Sequence, residues 1–227
     1  MQLTPHLWFD LDETLLDFTR AARTALHDVF NRLDIEASEA NILLYETCNH
    51  ECWTALENGE MTAQFLRGER FRRFLERLGH ATEEAPEAVN DFYLRQLVEH
   101  TEPLPGALET LRRLRKGGHT ISIITNGLRE VQPPRLERTG VAELVNGTTV
   151  ISDDIGVAKP DVRYFDHVWD QLGRPPKNEI TVIGDSANSD LRGGMNFGVR
   201  TIWINARDKP LPEGVRADRT VRSVAEL

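Results

Sequence analysis

The chain has 227 residues, 40% of them hydrophobic and 28% charged, with a formal net charge of −9. That length can bury a sizeable core in one or two domains, and the acidic balance argues against a nucleic-acid-binding surface. No run approaches the roughly 18 apolar residues of a membrane span, and the opening MQLTPH lacks the basic-then-apolar pattern of a secretory signal.

The first predicted strand, residues 7–11, runs straight into Asp10, Asp12 and Glu13, with Asp17 close behind. Like charges this close repel unless something positive sits among them. In an extended segment positions i and i+2 face the same side, so Asp10 and Asp12 can meet one cation and one substrate. A helical block follows, with segments at 19–33, 38–56, 62–78 and 84–100 and breaks at 34–38, 58–59 and 79–86. Apolar residues recur there at three and four, as in Phe65, Phe71, Phe74, Leu75 and Leu78. Cys48, His50 and Cys52 lie in CNHEC. On a helix, positions 48 and 52 share a face while His50 points elsewhere, and no second Cys/His pair completes a zinc site. Two small buried thiols and a reducing cytoplasm are expected.

After PLPG the period changes. Helical 107–118 is followed by the strand 119–127, helix-like 129–140, strand-like 143–152, helix-like 162–173, the strand 179–185, helical 188–198 and the strand 200–205. This alternation predicts βαβ units and a parallel sheet. The fold expected is a Rossmann-like three-layer α/β core, residues 1–16 and 101–227, with a helical domain inserted at 17–100.

Three predicted strands end in reactive side chains: Asp10 and Asp12, then Thr125–Asn126–Gly127, then Asp185. Open parallel sheets bind ligands beyond the carboxyl ends of their strands. Asp185, at the end of a buried apolar run, is desolvated unless it is hydrogen-bonded or holds a metal. Asp190, one turn further on, either orients Asp185 or reaches the metal through water, and Ser186 or Asn188 is the better helix cap. Three or four converging carboxylates suit Mg²⁺. Lys159, in GVAKP, offers a point charge for a phosphate oxygen beside a backbone restrained by Pro160. Thr125 offers a hydroxyl, and Asn126 and Gly127 offer backbone N–H groups beside a helix start, a ready anion site. Leu11, between the two carboxylates, joins them in the substrate-binding set.

Taken together, Asp10, Asp12, Thr14, Thr125, Lys159, Asp185 and Asp190 follow the order Asp-x-Asp-x-Thr, Thr, Lys-Pro, Gly-Asp-x-x-x-x-Asp. This resembles the haloacid dehalogenase superfamily across its four motifs, and the inserted helices look like its small (C1-type) cap. The resemblance implies that Asp10 is the nucleophile that forms an aspartyl-phosphate and that Asp12 is the general acid and then the base. It implies Mg²⁺ held by the Asp10 and Asp185 carboxylates and the Asp12 backbone carbonyl, and phosphoryl oxygens held by Thr125 and Lys159. Dehalogenases of this group lack the second carboxylate, so Asp12 favours phosphoryl chemistry.

RLERTG, GVAKP, GDSANSDLRGGMNFGV and NHECWTALENGEMT are similar to the bacterial pyrimidine 5′-nucleotidases. That similarity implies a nucleoside monophosphate as the small-molecule partner. Pro133 and Pro134 depart from it and predict a later helix start. Phe18, with Asn49 and Trp53 four apart on one helix face, could serve a base by stacking and hydrogen bonds, or serve as packing. Sugar-phosphate and phosphoglycolate phosphatases, a phosphosugar mutase and a catalytically quiet phosphate- or Mg²⁺-binding module remain as alternatives. The sequence assigns no oligomeric state.

Overall fold

β1 (His6–Phe9) is the pivot of the fold: it pairs in parallel with β2 (Thr120–Thr125) on one side and with β4 (Ile180–Gly184) on the other. The computed structural model describes residues 3–57 and 59–227. Met1, Gln2 and Asn58, half of the break predicted at 58–59, lie outside the described residues. The described residues form a six-stranded sheet in the order β3-β2-β1-β4-β5-β6, parallel throughout, completed by β3 (Thr149–Ile151), β5 (Arg200–Ile204) and β6 (Arg219–Val221). The chain steps from β1 outward through β2 and β3, then returns to β4 on the far side. Strand order therefore reverses at the carboxyl end of β1, where such sheets open a crevice.

The apolar strands are explained by burial on both faces. Leu7 and Phe9 point to one layer, with Ala107, Leu111 and Leu114 of α5 (Ala107–Lys116). Trp8 points to the other, with Tyr164, Phe165 and Val168 of α8 (Val162–Gln171) and Phe197. Full burial of a side chain such as Phe9 stabilises the fold by roughly 1.5–3 kcal/mol. Ring contacts add to this, Trp8 and Phe165 lying 6.0 and 5.8 Å from Phe197.

Several boundaries differ from expectation. β3 takes only three residues of the predicted 143–152, because Ala142–Leu144 turns as a 3-10 helix. β6 is a further strand, too short and polar to show a period. α6 (Gln132–Arg138) begins three residues into the predicted 129–140 segment, with the two prolines in its first turn, where a missing N–H costs nothing. The helix start expected beside Thr125–Asn126–Gly127 is thus displaced by a loop. The short α7 (Ser152–Ile155) follows β3 directly, and a π-helical turn, Ala187–Leu191, leads into α9 (Arg192–Phe197).

The chain divides into two compact units, one running to Phe18 and resuming from Thr101 to Leu227, the other Thr19–His100. The second is built from α1 (Phe18–Arg32), α2 (Glu39–Glu57), α3 (Ala63–Leu78) and α4 (Pro86–His100). Phe30 stacks on Phe74 at 5.4 Å, and Tyr45 meets Phe71 at 4.9 Å. The buried stripe of α3 runs through Leu66, Arg70 and Phe74, and Phe71 and Leu75 beside them are buried too. Phe65, expected on that face, falls on its flank with Arg72 and is 58% exposed. Arg70 is buried, donating to Asn90 Oδ1 at 2.6 Å and Asn49 Oδ1 at 3.1 Å. Glu69 accepts from Arg72 and Arg73, each at 2.7 Å, and those bonds hold its carboxyl down at about 2. Cys48 and Cys52 are buried free thiols, and His50 is exposed. Among the described residues no helix is long and apolar enough to cross a membrane.

Candidate active site

At the carboxyl end of β1, Asp10 N donates to Ile183 O at 2.9 Å, so the sheet ladder delivers the Asp10 side chain into the crevice. Lys159 meets it there. Its Nζ donates to Asp10 Oδ1 at 2.7 Å, Asp190 Oδ1 at 2.6 Å and Ile124 O at 2.8 Å, which uses all three ammonium protons. The backbone of Lys159, which precedes a cis peptide bond to Pro160, is pinned by Asn126. Asn126 Oδ1 accepts from Lys159 N at 2.8 Å, and Asn126 Nδ2 donates to Lys159 O at 2.9 Å. The Asn126 side chain thus carries a positioning contact, where the sequence suggests only its backbone N–H.

Asp190 is fully buried, and its second oxygen accepts from Ser186 N at 3.0 Å. Ser186 caps the π-helical turn, accepting from Ser189 N. These bonds join Asp190 to Lys159 and to the turn, and none of the described hydrogen bonds links it to the Asp185 carboxylate. A Cβ on Gly184 would collide with the Asp190 carboxyl, so the close approach requires glycine. Trp203 Nε1 donates to Asp185 O at 2.9 Å and steadies the backbone of that strand end.

Asp10, Asp185 and Asp190 each present an oxygen within 4.8 Å of the others. Burial pushes the Asp10 carboxyl up to about 7, with the Lys159 ammonium pulling the other way and Asp190 adding to the rise. Burial likewise pushes Asp185 up to about 8, reinforced by Asp10 and Asp190. Burial opposes the charge on Lys159, yet Asp10 and Asp190 hold its amine well above the ordinary lysine range. Three carboxylates around one ammonium leave an excess of negative charge and an all-oxygen donor set. These residues fit a hard divalent cation such as Mg²⁺.

Asp12 turns to a different set of partners. Arg135 Nη2 donates to Asp12 Oδ1 at 2.6 Å, and Gln132 Nε2 reaches Asp12 Oδ2 at 3.3 Å and Thr125 Oγ1 at 2.9 Å. Thr125, Gln132 and Arg135 are all buried. Phe18 lies under the Arg135 guanidinium, 5.6 Å from ring centre to Cζ. The structure therefore brings Asp10, Asp12, Thr125, Asn126, Lys159, Asp185 and Asp190 to one end of the sheet. Leu11 contributes only backbone there, since its side chain lies in the core. Asn49 and Trp53 lie in the other unit on α2, and Asn49 is bonded to Arg70. Gln132 and Arg135 escape sequence reasoning. Their i, i+3 spacing on a short helix just after a strand-end threonine is the available signal.

The family model of haloacid dehalogenase-like hydrolases matches residues 6–198. The chain is 37% identical to pyrimidine 5′-nucleotidase YjjG of Escherichia coli, over 97% of this chain and 95% of that protein. It is 31% identical to pyrimidine 5′-nucleotidase PynA of Streptococcus pneumoniae, over 88% and 83%. The magnesium-bound crystal structure of HAD-hydrolase YfnB from Bacillus subtilis superposes with a TM-score of 0.88 at 29% identity, covering 99% of this chain and 97% of that one. The motifs, the sheet order and these likenesses agree: the chain belongs to the haloacid dehalogenase-like hydrolases.

Proposed function

We propose that this enzyme is a Mg²⁺-dependent phosphomonoester hydrolase working through an aspartyl-phosphate, with pyrimidine nucleoside monophosphates as its substrate class and the cytoplasm as its setting. The observation that carries the reading is the buried Asp10–Lys159–Asp190 group with Asp185 beside it, at the end of β1. Asp10 attacks phosphorus in line, and the P–O bond to the leaving group breaks. The departing alkoxide takes its proton from Asp12, which then takes one from the water that hydrolyses the acyl phosphate and releases inorganic phosphate. As Asp10 turns to phosphorus it releases one Lys159 proton, and that proton and the Thr125 hydroxyl hold the phosphoryl oxygens as charge redistributes. Asp10 and Asp185, with the Asp12 carbonyl, would hold Mg²⁺, while Asp190 keeps Lys159 in place. When bound, the ion supplies positive charge that offsets the repulsion between a carboxylate and a phosphate dianion.

The nucleotide part of the reading is supported by the likeness to YjjG and PynA, both named as pyrimidine 5′-nucleotidases. Phe18, Asn49 and Trp53 are the proposed base contacts. A phosphate-release screen tests it, with nucleoside monophosphates, sugar phosphates and phosphoglycolate as substrates, in Mg²⁺ and in EDTA. Highest kcat/KM on a pyrimidine monophosphate, abolished by EDTA, is the expected result. A preference for phosphoglycolate or a sugar phosphate would replace the nucleotide assignment, and no release from any ester would overturn the enzymatic one.

A further inference from the structure

We infer that Gln132, oriented by Arg135, is a positioning residue that fixes the Thr125 hydroxyl as a hydrogen-bond donor to the phosphoryl group. The inference rests on the phosphatase reading above. Hydrogen-bond direction carries it. A guanidinium has five donors and no acceptor. Arg135 Nη1 lies 2.7 Å from the Gln132 side chain, so the atom it meets is the carbonyl oxygen Oε1. The amide nitrogen must then face the other way, and there Nε2 donates to Thr125 Oγ1 at 2.9 Å and reaches Asp12 Oδ2 at 3.3 Å.

A threonine hydroxyl has one proton to give. With Oγ1 accepting from Gln132, that proton is directed away from the amide, and among the described residues no side chain or carbonyl takes it. Thr125 is left as a donor at the strand end, which is the polarity an anionic phosphoryl oxygen needs.

Two further observations show that the arrangement is built. Arg135, 1% exposed, is itself anchored by Thr101 Oγ1 at 2.9 Å and by Asp12 Oδ1 at 2.6 Å, so it cannot swing off the amide without losing both. Gly127 makes room for the amide, because a Cβ there would collide with the Gln132 carboxamide. Gly127 is not in the left-handed region, so its requirement is for space and not for an unusual φ.

The test is a double-mutant cycle read on phosphate binding. Wild type, Thr125→Val, Gln132→Met and the double variant are compared by calorimetric titration of inorganic phosphate with Mg²⁺, and by kcat and KM on p-nitrophenyl phosphate. Each single change should weaken phosphate binding and raise KM by about tenfold or more, the scale of one hydrogen bond to a charged group. The double variant should bind no more weakly than Thr125→Val alone, because Gln132 acts through Thr125. Gln132→Glu, whose new carboxylate would accept the Thr125 proton, should lose more than Gln132→Met. Arg135→Lys, which keeps a donor for Oε1, should recover most of the affinity lost in Arg135→Met. Wild-type phosphate affinity in Gln132→Met, or losses that multiply in the double variant, would overturn the inference. If the wild type turns over no phosphate ester, the phosphatase reading falls, and the calorimetric cycle still decides the Thr125–Gln132 coupling by the same criterion.

Discussion

Lys159 Nζ sits 2.6 Å from Asp190 Oδ1, with both side chains closed off from solvent. A buried charge without a partner is costly, so each of these residues is tolerated only because the other is present. Lys159→Met leaves Asp10 and Asp190 without the ammonium that joins them, with the Asp185 carboxyl close by. The expected cost is about 3–5 kcal/mol of unfolding free energy at pH 8 without metal. At pH 5.5 the cost should shrink, since carboxyls already pushed up to about 7 and 8 are then protonated. Urea denaturation at the two pH values measures this, and an equal loss at both would refute it.

Asp10→Asn removes the proposed nucleophile while keeping its shape and its ability to accept from Lys159. Turnover on an aryl phosphate should fall by at least about 10³-fold. The melting temperature without metal should not fall, because one of three crowded carboxylates has lost its charge. Activity within tenfold of wild type would exclude Asp10 as the nucleophile.

Metal and pH are linked through the same carboxyls. Asp10 and Asp185 titrate in the folded protein at about 7 and 8, above their ordinary value of 3.8. The stability they contribute is complete below that ordinary value and is lost as pH rises through 7 to 8. In EDTA the melting temperature should therefore decline between pH 6 and pH 9. Mg²⁺ requires ionised ligands, so the stabilisation it adds should grow over the same interval. Thermal melts with and without Mg²⁺ at pH 6, 7.5 and 9 test both trends, and a Mg²⁺ increment that shrinks with pH would contradict the carboxylate cage.

In the helical unit the shift runs the other way. The Arg72 and Arg73 bonds hold Glu69 at about 2, below its ordinary value of 4.5. Its contribution is present above 4.5 and disappears as pH falls through 2. Both arginines are partly solvated, so Glu69→Gln should cost only about 0.5–1 kcal/mol at pH 7 and less near pH 2. Chemical denaturation of the full chain at the two pH values reads the difference.

The strands at β1, β2, β4 and β5 are legible because a strand buried on both faces must be apolar almost without interruption. That also makes their polar ends conspicuous, which is why Asp10, Thr125 and Asp185 stand out in the sequence alone. β6 is not legible: three residues at a sheet edge, with Arg219 and Thr220 among them, carry no period. The buried face of α3 is narrower than its periodicity suggests, since Phe65 and Leu66 are adjacent and only the latter lies on the buried line. Gln132 and Arg135 show the deeper reason for what is missed. Their contacts with Asp12 span 120 and 123 residues, and the i, i+3 spacing in a helix of seven residues marks a shared face without naming so distant a partner.

Among the described strands, the central one is also the earliest in the chain. Asp10 leaves the ribosome 149 residues ahead of Lys159, and β1 must wait for flanking strands that lie beyond the whole helical unit. At about 5–20 residues per second, synthesis of that interval alone takes roughly 7–30 s. During that time the helical unit, contiguous from Thr19 to His100, is complete and free to fold, while the reactive carboxylates have neither metal partners nor ammonium. The Asp10–Lys159 pair is thus assembled only once residue 159 has been made, a delay set by the topology of the sheet.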